Sequence, residues 1–331
     1  MLLPIYINAL NLTDEDGNVL TLTESDEGIW QAGSYYDYIK GAIETSLNNF
    51  LSDTEFPYTA SSGNGGFGGM GGRGMRDMNG EPPEGMKDMR GGFGGDRGGM
   101  GGFPGADGEE GGFEAMDGIA RAGAASTGVS MSGTYETAQD YIDALNANGE
   151  WVIYDADTNT ATITSVADFT QALKSASKGI AAFDQLDAGQ GENTLFGYGD
   201  GSGAHFDATL AGLVSDTEYA DDFAEDLSRQ DALGNTVDTR VDMYNPMYYL
   251  CDAYDGYGTA TPATYWRIRT GINQGDTALC TEINLALAAD AYSDDTQVDF
   301  ATVWGQGHTM AERTGDSTTN FIEWVNACMG A

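Results

Sequence analysis

Apolar residues recur every three or four positions over residues 34–52, at Ile39, Ile43, Leu47, Phe50 and Leu51, which predicts a helix with one buried face. Ser34 with Asp37 three positions on predicts a capping box at its start. A second helix is expected over 137–145, with Tyr141, Ile142 and Leu145 on one side and a stop near Gly149. Residues 151–154 and 161–164 flank the polar run Asp155-Ala156-Asp157-Thr158-Asn159, the pattern of a β-hairpin. Ser165 and Asp168 open another helix carrying Val166, Phe169 and Leu173, and an acidic helix is expected over 216–227.

The last ninety or so residues have a different rhythm. Residues 265–269 and 298–304 are strand-like, and each run meets a glycine, Gly271 and Gly305. Helices are expected over 277–289 and over 319–328, the second with Phe321, Ile322, Trp324 and Val325 as its apolar positions. Strand, helix, strand, helix at this spacing predicts a parallel pair joined by a right-handed crossover.

Composition interrupts the pattern between residues 61 and 118. That stretch holds 23 of the 48 glycines and 7 of the 13 methionines. Such a chain buries too little apolar surface to offset its conformational entropy, so a disordered Gly/Met-rich insertion is expected. Gly72-Arg73-Gly74 hints at an RNA-binding tail, but five basic residues stand against ten acidic ones in the segment. The whole chain carries 14 Lys plus Arg against 52 Asp plus Glu, a net charge of −38. This repels phosphate backbones and anionic headgroups, so no nucleic-acid partner is expected. No apolar run reaches the roughly 18 residues of a membrane span. The first basic residue is Lys40, so no signal peptide is read here, and the compartment stays open. Pro4 and the turn-like stretch at Asp14 to Asn18 stand where a first strand would be expected, which suggests a beginning cut short. Cys251, Cys280 and Cys328 form no CxxC pair and read as buried thiols.

In a parallel sheet, functional groups gather beyond the carboxyl ends of the strands. Asp276 lies in the loop after the first strand. His308, in Gly305-Gln306-Gly307-His308-Thr309, lies after the second. Acid and then histidine is the chain order of an α/β-hydrolase triad, in which the acid orients the imidazole that takes the serine proton. The bland alternative is a solvated loop histidine. His205 has no such placement and reads as structural. No Gly-x-Ser-x-Gly occurs; Ser130, in Gly128-Val129-Ser130-Met131-Ser132-Gly133, has a serine where the second glycine belongs and no strand before it.

One ordered set of residues resembles the C-terminal part of bacterial tannases and feruloyl-esterase-like α/β-hydrolases. It runs from Asn245-Pro246-Met247-Tyr248-Tyr249-Leu250 through Tyr265-Trp266-Arg267-Ile268-Arg269 and Gly271 to Asp276-Thr277. It closes with Val298-Asp299-Phe300, Trp304-Gly305, Gly307 and His308. Upstream, Ala182-Phe183-Asp184, Leu186-Asp187 and Glu192-Asn193 with Leu195-Phe196-Gly197 extend it.

The resemblance implies a partial α/β-hydrolase core with a mainly helical lid. Residues 1–60 would be a helical segment of lid and core, 61–118 the insertion, 119–240 the lid, and 241–331 the C-terminal core. It implies a serine esterase for galloyl, feruloyl or related aromatic esters, with no metal or organic cofactor and a small aromatic ester as partner. His308 is then the base. Lys178 and Glu192, fourteen positions apart, fall on lid contacts to ring hydroxyls, and Asp276 on a further contact. Carboxylates accept from phenolic OH groups and an ammonium donates to their oxygens. The family's triad acid falls on Gln274, and a comparable neutral amide cost about 10⁴ in rate in a serine protease, so either Asp276 supplies the acid or the chain comes from an altered branch of the family. The family's serine elbow precedes the lid, so a fragment without its nucleophile is expected. A broader carboxylesterase or peptidase of the same fold, or a non-catalytic binding fragment, are the other readings. A bacterial parent that is secreted or at the cell surface is compatible with them, and the oligomeric state is open.

Overall fold

The fold is built around one long helix whose apolar stripe follows directly from its four-residue spacing. In a computed structural model, residues 2–60, 131–173, 184, 186–189, 191–198, 202–273, 278–307 and 310–330 are described. The expected insertion at 61–118 lies outside them. Residues 1–67 and 126–331 form one compact unit; the other unit, 68–125, contains no described residue.

Helix α1 (Leu2–Ala9) precedes the long helix α2 (Ser34–Asp53). Helix α1 has no counterpart among the elements expected from the sequence; it buries Ile7 and leads into a turn where Asp14 Oδ1 accepts from the Asn18 amide at 2.8 Å. In α2, Tyr35, Ile39, Ile43, Leu47 and Leu51 are buried, as the periodicity requires. The expected capping box is absent. Gly33 occupies the cap with φ of 92°, and no side chain caps the helix. Ser34 Oγ instead accepts from the Thr21 amide at 2.9 Å. A Cβ on Gly33 would collide with the Thr21 carbonyl oxygen, so the loop packs too closely for a side-chain cap.

Strands β1 (Tyr58–Ala60) and β2 (Gly133–Tyr135) pair antiparallel. Helix α3 (Ala138–Leu145) starts at a true capping box between Thr137 and Asp140. The hairpin β3 (Val152–Asp155) and β4 (Thr160–Ile163) forms as the sequence predicts, with Val152 opposite Ile163. Asn48 of α2 serves the β4 edge twice: its Nδ2 donates to the Ala161 carbonyl at 2.9 Å, and its Oδ1 accepts from the Ala161 amide at 2.7 Å. Both backbone groups of Ala161 are thereby paired where helix meets strand. Helix α4 (Val166–Leu173) follows, and its Phe169 lies between the rings of Trp151 and Trp304, at 6.1 and 6.0 Å.

Short helices α5 (Gly191–Leu195), α6 (Ala208–Leu213), α7 (Ala220–Ser228), α8 (Val237–Tyr244) and α9 (Pro246–Leu250) occupy the middle of the chain. The predicted acidic helix is therefore present, starting later than its composition suggested.

Strands β5 (Tyr265–Gly271) and β6 (Gln297–Val303) are parallel, in register from Tyr265 opposite Gln297 to Gly271 opposite Val303. Helix α10 (Leu279–Tyr292) connects them and buries Ile283, Leu287 and Ala289 against the core. Both strands run from exposed starts to buried carboxyl ends. Ser46 Oγ of α2 donates to the Thr302 carbonyl at 2.8 Å, which ties the sheet to the central helix. These helices and small sheets fit a partial α/β fold. The closing helix α11 (Ser317–Cys328) has the predicted apolar residues, yet none of its residues is buried, and Phe321 and Ile322 lie exposed. None of the described helices is long and apolar enough to cross a membrane.

Candidate active site

The carboxyl ends of β5 and β6 lie side by side, and the first residues beyond them stay in contact. The Ile272 amide donates to the Val303 carbonyl at 2.9 Å, and the Asn273 amide to the Gln306 carbonyl at 3.2 Å. A Cβ on Gly271 would fall on the carbonyl oxygens of Gln306 and Gly307. Glycine at 271 is thus a steric requirement: backbone meets backbone with no room for a side chain. Asn273 Oδ1 is buried here without a hydrogen-bond partner.

The second loop is braced from below. The Gln306 side chain pairs with the Glu312 backbone in both directions, Nε2 donating to its carbonyl at 2.5 Å and Oε1 accepting its amide at 3.1 Å. Glu312 in turn takes a two-pronged contact from Arg267 Nη2, 2.9 Å to each carboxylate oxygen. Arg267 and Arg269, two apart on β5 and so on one face, both also bond Asp299 of β6. These ionic groups hold Glu312, and through it Gln306, to the sheet. An open recess of about 400 Å³ lies beyond them, lined by both arginines, Met310, Phe321 and Trp324.

His308 and Asp276 lie outside the described residues, as do Gln274, Lys178 and Ser130. Glu192 is in α5, and its side chain is likewise outside them. The structure therefore joins the stems that carry Asp276 and His308, the nearest described residues being Asn273 and Gly307.

His205 is accounted for. It is 3% exposed, its Nδ1 lies 3.0 Å from Asp184 Oδ1, and its ring stacks on Phe223 at 3.7 Å. Burial pushes the thiols of Cys251 and Cys280 up to about 11, so neither supplies a thiolate nucleophile near neutral pH. Cys251 is buried as expected, whereas Cys280 and Cys328 are partly exposed. Among the described residues no group of three or more His, Cys, Asp or Glu is arranged to hold a metal ion.

The sequence offered Asp184 and Asn193 only as landmarks. In the structure both are fully enclosed and bonded to each other at 2.6 Å. Nothing in their spacing announces this, because further partners of both come from residues 204–207.

No family model and no curated protein matches the sequence. Solved structures do. A tannase from Fusobacterium nucleatum superposes over 98% of this chain and 44% of its own, with a TM-score of 0.53 and 22% identity. A tannase from Lactobacillus plantarum matches 99% of this chain and 44% of its own, with a TM-score of 0.53 and 18% identity. The chain has a tannase-like fold. A tannin acyl hydrolase in complex with ethyl gallate aligns over 99% of this chain and 44% of its own, at a TM-score of 0.50 and 19% identity. The chain thus spans less than half the length of the tannases whose fold it shares.

Proposed function

We propose that this chain is part of a serine ester hydrolase acting on aromatic or hydroxyaromatic acyl esters, such as galloyl or feruloyl esters. The observation that carries the reading is the contact between the two strand-end loops, Asn273 against Gln306, on a tannase-like fold. Loops joined this closely suit an acid and a base borne by neighbouring strand ends. His308 is the general base of an acyl-serine mechanism, taking the serine proton and returning it to the leaving alcohol. Asp276 is the acid partner or a contact to a ring hydroxyl. Lys178 and Glu192 are further hydroxyl contacts, within a lid that spans 119–240 above a core at 241–331. The serine belongs to a Gly-x-Ser-x-Gly segment, which these 331 residues do not contain. That one solved relative is a complex with ethyl gallate supports a small aromatic ester as the ligand.

The test is binding. Methyl gallate and methyl benzoate are titrated into the chain and into its Lys178→Ala and Glu192→Gln variants. Methyl gallate should bind more tightly than methyl benzoate, and each variant should weaken it about tenfold, the worth of one charge-assisted hydrogen bond. Equal affinities for both esters in all three proteins would overturn the assignment of the hydroxyl contacts.

A second reading is a non-catalytic binding fragment. Two features favour it: Gln274 at the family's acid position and the lack of a serine elbow in the sequence. It predicts the same ligand preference without turnover in any context. A broader carboxylesterase or peptidase would instead show no preference for ring hydroxyls.

A further inference from the structure

Helix α5, which carries Glu192, is five residues long and cannot hold itself by its own hydrogen bonds. Its surroundings hold it. Asp184 is 2% exposed, and its carboxylate meets four donors. Oδ1 accepts from Asn193 Nδ2 at 2.6 Å and lies 3.0 Å from His205 Nδ1. Oδ2 accepts from the amides of Phe206 and Asp207 at 2.7 and 2.9 Å. A carboxylate is the side chain able to accept from so many donors at once.

Asn193, next to Glu192, is 0% exposed. Its Nδ2 also donates to the Ala204 carbonyl at 3.0 Å, and its own carbonyl accepts from the Ala204 amide at 3.1 Å. At the far end of α5, Arg240 Nη1 donates to the carbonyls of Phe196 and Gly197 at 2.6 and 2.8 Å, acceptors that a helix end leaves open. A Cβ on Gly203 would strike the Ala188 carbonyl, so residue 203 crosses the residues before α5 backbone to backbone.

We infer that Asp184 and Asn193 are positioning residues that hold the backbone of α5 in place at Glu192 and thereby set the preference for a hydroxylated ring. The inference rests on the proposed role of Glu192 as a hydroxyl contact. A hydrogen bond to a phenol needs its acceptor within a few tenths of an ångström, so a helix free to shift loses the bond and not the apolar contact with the ring. The effect belongs in selectivity rather than in general binding.

The experiment uses the 331-residue chain as wild type, Asp184→Asn, Asn193→Ala and Glu192→Gln. Affinities for methyl gallate and methyl benzoate are measured by ligand-observed NMR, and amide exchange is followed over residues 191–197 and in α2 and α10. In Asp184→Asn and Asn193→Ala, exchange over 191–197 should speed up at least about tenfold while α2 and α10 keep their protection. The gallate-over-benzoate preference should fall about tenfold in both, as it does in Glu192→Gln. Where Asn193→Ala fails to fold, Asp184→Asn, which keeps the shape of the side chain, gives the same ratio. Faster exchange with an intact preference overturns the positioning role, and unchanged exchange overturns the brace itself. A wild-type chain indifferent to ring hydroxyls and equal to Glu192→Gln would instead sink the proposed contact. The exchange data then decide the brace alone.

Discussion

The backbone amide of Asn273 donates to the carbonyl of Gln306, 3.2 Å across the gap between the two strand-end loops. Asn273 stands three positions before Asp276, and Gln306 two before His308. The proposed acid and base therefore leave from stems in direct contact.

The stem contact depends on Gly271, whose missing Cβ makes room for the Gln306 and Gly307 carbonyls. Gly271→Ala should destabilise the chain by about 1–3 kcal/mol, the usual cost of overpacking. Urea unfolding followed by tryptophan fluorescence measures it. Wild-type stability in the variant would show that the loops separate without cost.

Arg267 holds the base loop through Glu312, with side chains only 13% and 10% exposed. Removing Arg267 leaves the carboxylates of Asp299 and Glu312 to share Arg269 alone, one negative charge in excess, so Arg267→Ala should cost about 3 kcal/mol. The double variant Arg267→Met with Glu312→Leu should recover much of that loss. A double variant no more stable than Arg267→Ala would contradict the ion-pair account.

Ser165 and Thr164 donate to Asp168 Oδ2 at 2.6 and 2.7 Å at the start of α4, and these bonds hold the Asp168 carboxyl below its ordinary 3.8. A carboxyl lowered in the folded state stabilises the fold above the unfolded value and loses that contribution as the pH falls through the folded one. Asp168→Asn should thus lower Tm at pH 7, and its difference from wild type should vanish in strong acid. A Tm difference constant over the whole acid range would contradict the assignment.

Much of this architecture was legible because it is local. The Ile39, Ile43, Leu47 and Leu51 stripe, the Ser165 and Asp168 start and the β3–β4 turn each specify an element within a few residues. The strand–helix–strand order at the end of the chain gave the parallel pair. What escaped depends on contacts distant in sequence. Ser34 has the composition of a cap, yet its hydroxyl is claimed by Thr21, thirteen positions away. Asp184 looks like any acidic loop residue until residues 205–207 bring it their donors. Helix α1 carries no charge and no capping signal, so only its packing at Ile7 reveals it. At the site, the sequence pointed to the two strand-end loops, and the structure joins their stems.

The two roles open to Asp276 separate by substrate once a serine segment accompanies the chain. As the triad acid, Asp276→Asn should slow turnover of methyl gallate and of nitrophenyl acetate alike, because the imidazolium loses its partner whatever the acyl group. As a hydroxyl contact, it should slow methyl gallate only. Full activity on both esters would remove Asp276 from the mechanism.

The central claim is that this chain supplies the base to an acyl-serine esterase. Its most direct test is turnover of methyl gallate by a protein in which this chain is joined to a Gly-x-Ser-x-Gly segment, with and without His308→Ala. The account predicts hydrolysis with His308 present and a fall in kcat of about 10⁴ or more without it, while residues 1–331 alone show no turnover above their own His308→Ala control. Hydrolysis that survives His308→Ala, or turnover by 1–331 alone that Ser130→Ala abolishes, would contradict it.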